Sequence, residues 1–255
     1  MRAATADVDL DRRPPRPPVP TLRQERALLG AGARVVVGMD EVGRGALAGP
    51  VSVGVVAVSA TTRTCPRGVA DSKLLSPSAR TALLPALSRW GLGRAVGHAS
   101  AAEIDAVGII AALRLAGRRA LARLAEVIGP VDAVLLDGSH DWLSTPAQAR
   151  SFDEVPDWTP DRGPDDASFA AGPVVHLLIK ADRRCASVAA ASVIAKCERD
   201  ALMTELAPRY PAYSWAQNKG YGSADHLAAL RTHGPSPLHR LSWRLPPQGW
   251  SMMDA

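Results

Sequence analysis

The chain has 255 residues, 47% hydrophobic and 22% charged, with 30 Lys+Arg against 25 Asp+Glu for a formal net charge of +5. That apolar fraction excludes disorder over the whole length, and a chain of this size can bury roughly 75% of its unfolded surface in a core. Three cysteines (Cys65, Cys185, Cys197) without CxxC spacing argue against a disulfide scaffold or structural zinc, and every apolar run breaks at a charge short of the ~20 residues of a bilayer span, so a cytoplasmic protein with no membrane partner is expected.

Residues 1–20 lack the apolar segment of a secretory signal, and Pro14, Pro15, Pro17, Pro18 and Pro20 disfavour helix there. They read as a disordered Pro/Arg-rich tail, followed by one folded domain over 21–245 and a flexible tail at 246–255. Residues 21–31 read as a short helix, 34–40 (RVVVGMD) as a buried strand, and 51–58 (VSVGVVAV) as a second strand placed to pair antiparallel with it. Gly43, Gly45, Gly49 and Pro50 make the turn between them. A helix is expected over 77–88 and a third strand over 94–98. Residues 101–128 have helical periodicity, interrupted near Gly108 and stopped by Gly129 and Pro130. Strands at 131–137 (VDAVLLD) and 174–180 (VVHLLIK) precede a long small-residue helix at 186–206 and a helical C-terminal segment. Three antiparallel strands followed by strands alternating with helices describe an α/β domain with a five-stranded mixed sheet flanked by helices.

Residues 144–172 are Pro-rich with little periodicity and read as an insertion. Within 151–172, six acids face one base, Arg162, an acidic island in a basic protein. It reads as a solvated loop, with a place away from any phosphate-binding face or a reversible shielding of that face as the alternatives.

Arginine is used 26 times and lysine four times, at Lys73, Lys180, Lys196 and Lys219, so those four are candidates for specific contacts with phosphate or carboxylate. The acids are placed more tellingly: Asp40 and Glu41 end the first strand, Asp137 ends the fourth, and Asp182 follows the fifth. Singly, such an acid caps a turn or helix, as Asp182 could cap the helix after it. Together, carboxylates at the ends of apolar strands repel unless a cation compensates, and all-oxygen donors suit Mg²⁺ or Mn²⁺. Adjacent residues of a regular strand point to opposite faces, so convergence of Asp40 and Glu41 requires the strand to deform there. Gly43 and Gly45 make that plausible, free backbone N–H groups for a ligand, and flank the positive charge of Arg44. The six histidines show no metal-binding helical spacing, and none is expected to be a ligand.

The segment 38–50, GMDEVGRGALAGP, resembles the first signature of the type 2 ribonucleases H, the ribonuclease HII family. DSK at 71–73, LDG at 136–138, KADRRCASVAAASVIAKCERD at 180–200, NKGYG at 218–222 and GPSPLHR at 234–240 follow in family order, with Ala181 where the family commonly has Gly. The resemblance spans residues 34–240. It implies a ribonuclease H-like fold and an endonuclease that cuts RNA in RNA–DNA hybrids and nicks duplex DNA 5′ to an embedded ribonucleotide, leaving 3′-hydroxyl and 5′-phosphate ends. It puts the catalytic, metal-holding acids at Asp40, Glu41, Asp137 and Asp182, serving a two-ion site for Mn²⁺ or Mg²⁺. It assigns the ribose 2′-hydroxyl to Gly43, Arg44 and Gly45, and the adjoining deoxyribose to Tyr221. Lys73, Lys180 and Ser187 join Arg44 as phosphate-contact candidates, with helix packing the alternative for Ser187. Lys196 and Lys219 are further candidates, Lys196 having a buried acid as its alternative partner. A monomer acting on these nucleic acids is expected. The alternatives are a related nuclease of the ribonuclease HIII type and a nucleic-acid-binding protein that has lost catalysis. Tyr221 with GRG and the absence of an extra N-terminal domain disfavour the first, and retention of all four acids the second.

Overall fold

The computed structural model describes residues 19–144 and 172–247. The expectations for the N-terminal tail, for the acidic segment at 145–171 and for nearly all of the C-terminal tail lie outside the described residues. The elements in chain order are α1 (Arg23–Gly30), β1 (Val36–Val42), β2 (Val51–Val58), α2 (Pro77–Leu87), β3 (Gly93–Ala99), α3 (Ala101–Ile128), β4 (Ala133–Asp137), β5 (Val174–Leu178), α4 (Ala186–Leu206), α5 (Trp215–Asn218) and α6 (Ala224–His233). The five strands form one sheet in the order β3-β2-β1-β4-β5. β1, β2 and β3 are antiparallel neighbours, and β4 and β5 run parallel to β1, the mixed sheet that the sequence suggests.

The alternation of β1 sorts the core into two layers. Val37 and Met39 join Val53, Val55 and the inner face of α3, while Val36, Val56 and Leu135 pack with the alanines of α4. The two covering helices approach the strands through glycine. A Cβ on Gly38 would overlap the backbone of Ser187 and Val188 in α4, and one on Gly97 would overlap the Ala116 carbonyl in α3. The run of alanines in α4 supplies the other half of that close approach, because side chains of one carbon let helix and strand backbones meet.

α3 opens on a capping box in which the Ser100 hydroxyl accepts from Glu103 N–H and the Glu103 carboxylate accepts from Ser100 N–H. It bends at Gly108, whose φ of 77° breaks the helical ladder where the periodicity falters. β5 stops at Leu178, two residues before the expected end, because the chain turns away through Lys180 in the left-handed region (φ 57°). A smaller cluster of Ala48, Met203, Tyr213, Trp215, Ala229 and Leu230 packs α5 and α6 beneath the turn after β1.

Candidate active site

Pairing between β1 and β4 ends at Met39 and Leu136, so Asp40 and Asp137 occupy the next, adjacent positions and leave the sheet on one face. The chain after β5 makes a 3-10 turn at Ala181–Arg183, and its first amide N–H donates to Asp137 Oδ1 at 2.6 Å, which brings Asp182 to the same corner. Asp182 does not cap the following helix. The N-cap of α4 is Cys185, which makes no side-chain cap, and Glu25 of α1 takes over: both the backbone N–H and the hydroxyl of Ser187 donate to Glu25 Oε1, at 2.9 and 2.7 Å.

The expected deformation between Asp40 and Glu41 is not there. β1 keeps its ladder with β2 through Val42, and the turn begins only at Gly43, with φ 82°. The two carboxyl-bearing residues therefore point to opposite faces. They still belong to one electrostatic unit, because β4 no longer flanks β1 past Met39 and the negative charge of Asp137 acts on both.

Burial holds the Asp40 carboxyl well above the usual carboxylate range, and the charges of Glu41 and Asp137 push it further. Burial also raises Glu41, and Asp137 adds to it, against the opposing pull of Arg44 at 3.7 Å. Asp182 is pushed up to about 6 by burial and by the charges of Asp137 and Asp71. Burial alone would lower Lys73, but Asp40, Asp71, Asp182 and Asp137 outweigh it and hold its proton more tightly. This is a corner with excess negative charge, and the cations Lys73, Arg44 and Arg183 stand beside it.

Among the described residues no three acid, cysteine or histidine side chains already stand as a closed metal cage. The donor chemistry fits a hard divalent cation nevertheless. Asp40, Glu41, Asp137 and Asp182 offer only oxygen, and the raised protonation of three of them is the response that a bound cation reverses.

The turn after β1 is built for close approach. The Gly43 N–H donates to the Tyr221 hydroxyl at 3.1 Å, which joins the GRG turn to the NKGYG loop. A Cβ on Gly43 would overlap the guanidinium of Arg199, whereas Gly45 is exposed with open space at its Cβ position. Beneath the turn, Arg199 donates to the carbonyls of Pro50 at 2.9 Å, Lys219 at 2.9 Å and Ala48 at 3.2 Å. Arg240 donates to Gly43 at 2.7 Å, Arg44 at 2.8 Å and Gly49 at 3.2 Å. Both arginines are fully buried. The Arg199 guanidinium also lies 5.3 Å from the centre of the Tyr221 ring.

Of the other candidates, Arg44 and Lys73 are exposed beside the acids, and Lys180 is exposed at the end of β5. Lys196 donates to Asp200 at 2.7 Å, and Lys219 to the Thr204 hydroxyl at 2.6 Å. Ser187 is corrected: fully buried and committed to Glu25, it packs α4 against α1 and has no face left for phosphate. Asp71, Glu25, Arg199 and Arg240 had no role in the sequence reading. Asp71 is buried beside Arg183, whose Nε donates to it at 3.3 Å, and it accepts from Lys73 N–H at 2.9 Å. Its place in DSK was the one available signal.

A mixed sheet in this strand order, covered by α3 and α4 and carrying acids at the ends of β1 and β4 and just past β5, defines a ribonuclease H-like nuclease. Solved structures agree on the fold: the ribonuclease HII of Archaeoglobus fulgidus, solved in complex with PCNA, superposes with a TM-score of 0.57 at 23% identity, covering 87% of this chain and 100% of its own. Bst-RNase HIII in complex with Mn²⁺ gives 0.57 at 21% identity, covering 86% of this chain and 70% of its own. A ribonuclease HII of Streptomyces avermitilis is 45% identical over 227 residues, 88% of this chain and 83% of that protein. The family model for ribonuclease HII matches residues 37–245, and the chain belongs to that family, whose members cleave RNA in RNA–DNA hybrids.

Proposed function

We propose that this ribonuclease H cuts hybrids and also nicks duplex DNA on the 5′ side of an embedded ribonucleotide, leaving 3′-hydroxyl and 5′-phosphate ends. Asp40, Glu41, Asp137 and Asp182 would hold divalent ions, Mn²⁺ or Mg²⁺, which supply charge neutralisation at the scissile phosphate and a water of lowered pKa. The residues around them do the selecting. The GRG turn offers backbone groups to a 2′-hydroxyl, the one atom that separates RNA from DNA, and the Tyr221 face suits a sugar that lacks it. Arg44 and Lys73 stand beside the acids as positive charges for flanking phosphates, and the exposed Lys180 immediately precedes the turn that carries Asp182. The domain so formed is taken to run over 21–245, to act as a monomer and to work in the cytoplasm.

The observation that best supports this reading is the bond from Gly43 N–H to the Tyr221 hydroxyl at 3.1 Å, three residues past Asp40, because it holds Tyr221 against the GRG turn on the continuation of the acid-bearing strand. A duplex with a single ribonucleotide, incubated with Mn²⁺ or with chelator, tests it. Metal-dependent nicking 5′ to that residue is expected. Binding without cleavage in either condition would sink it.

A further inference from the structure

Two histidines that the proposed reaction does not use are His226, on α6, and His239, in the segment that follows it. Both are buried, at 0% and 1% exposure, and their Nε2 atoms stand 3.0 Å apart. Their neighbours fix the sense of every hydrogen bond. The Ser236 backbone N–H donates to His239 Nδ1 at 2.8 Å, so that nitrogen carries a lone pair and the ring proton sits on Nε2. The Tyr221 carbonyl can only accept, and it lies 2.8 Å from His226 Nδ1, so that nitrogen holds the proton and His226 Nε2 the lone pair. His239 Nε2–H therefore donates to His226 Nε2, which also faces the Trp215 Nε1–H at 3.3 Å.

With both rings neutral, the chain runs one way, from Ser236 through His239 and His226 to the carbonyl of Tyr221. Tyr213 and Trp215 pack their rings 4.6 and 5.4 Å from His239, and the Tyr213 hydroxyl is spent on the Gly234 carbonyl at 2.8 Å. Rings that merely filled this space would need no nitrogen. Here each nitrogen makes a directed bond, and the chain ends on the residue whose hydroxyl receives the Gly43 N–H.

We propose that His226 and His239 are positioning residues for Tyr221, setting through its carbonyl where its ring and the Gly43 amide meet the sugars at a ribonucleotide junction. The inference rests on the junction role proposed above for Tyr221. His226→Asn and His226→Gln separate the bond from the volume, since an Asn amide N–H lies where Nδ1–H was and a Gln amide lies nearer Nε2. Steady-state kinetics are read on a single-ribonucleotide duplex and on a long RNA–DNA hybrid, with Tyr221→Ala in parallel.

His226→Gln should raise KM on the single-ribonucleotide duplex about tenfold, the scale of one lost hydrogen bond, with kcat and long-hybrid kinetics within about twofold. His226→Asn should restore the junction KM to within about threefold of the unaltered protein. Equal KM values for the Asn and Gln variants, or losses shared by both substrates, overturn the positioning role while Tyr221→Ala keeps its selective loss. If Tyr221→Ala itself hurts both substrates equally, the junction reading falls, and the inference with it. Should His226→Gln not fold, His239→Leu decides: it removes the donor to His226, so a KM rise confined to the junction substrate supports the proposal and an unchanged KM overturns it.

Discussion

Asp40 is buried, as Asp182 is, and burial together with its neighbours' charges raises its carboxyl well above the usual carboxylate range. Asp40→Asn keeps the shape and removes the charge. Cleavage should fall at least about 10³-fold, as expected when the group holding the catalytic cation is neutralised, while hybrid affinity stays within about threefold. Single-turnover rates and a binding titration check it, and full activity would remove Asp40 from the metal-holding set.

A second residue-scale prediction concerns pH. Burial lowers His239 from 6.5 to about 4, with the neighbouring His226 adding to the shift. The unfolded chain therefore binds the proton first, and the stability gained from a neutral His239 is complete above pH 6.5 and lost as pH falls toward 4, by at most about 1.4 kcal/mol per unit. Asp182, raised to about 6, has the opposite sign, favouring the folded state as pH falls from 6 toward 3.8. Comparing Tm of the metal-free protein with that of His239→Gln cancels the aspartate. The gap between them should be widest near pH 7.5 and close toward pH 4.5, and a gap independent of pH would contradict a buried neutral His239.

At the scale of elements, the contact between β1 and α4 decides how near the acids stand to the helix that covers them. Gly38→Ala forces a methyl into the Ser187 and Val188 backbone, and neither a strand centre nor a helix axis moves cheaply. A loss of about 3 kcal/mol is expected. Gly30→Ala, at the end of α1 with open space at its Cβ position, should be neutral or stabilise by up to about 1 kcal/mol. Denaturant unfolding of the two variants tests the pair. The elements themselves were legible because their periodicities are clean: α2, α3 and α4 begin where the sequence puts them, and β2 matches at both ends. The end of β5 was not legible, since VVHLLIK continues the apolar pattern past Leu178 and only the left-handed backbone at Lys180 stops the strand. The expected break between Asp40 and Glu41 failed for a related reason. The strand resolves the conflict of faces by outrunning its β4 neighbour, and alternation along one strand carries no record of where the next strand stops.

Over the whole molecule, the parts of the site marked by position or by rarity could be read, and those marked by neither could not. Four acids at strand ends and three tyrosines in 255 residues draw the eye to Asp40 and Tyr221. Arg199 and Arg240 are two of 26 arginines, and only their burial beneath the GRG turn, with carbonyls of that turn as partners, distinguishes them. Glu25 was invisible for another reason: it acts on Ser187 across 162 positions of sequence. That contact bears on where the polypeptide can be divided. α1 precedes the region matched by the family model, which begins at residue 37, yet Thr21 bridges to Cys185 and Glu25 closes the start of α4 directly under Gly38. A chain begun at residue 35 should thus melt well below the full protein, and a synthetic peptide of residues 19–34 added in trans should rebind and recover much of the lost Tm. The first helix would then be a detachable wedge, making the link between Gly30 and Val36 a natural place to split the enzyme into two complementing pieces.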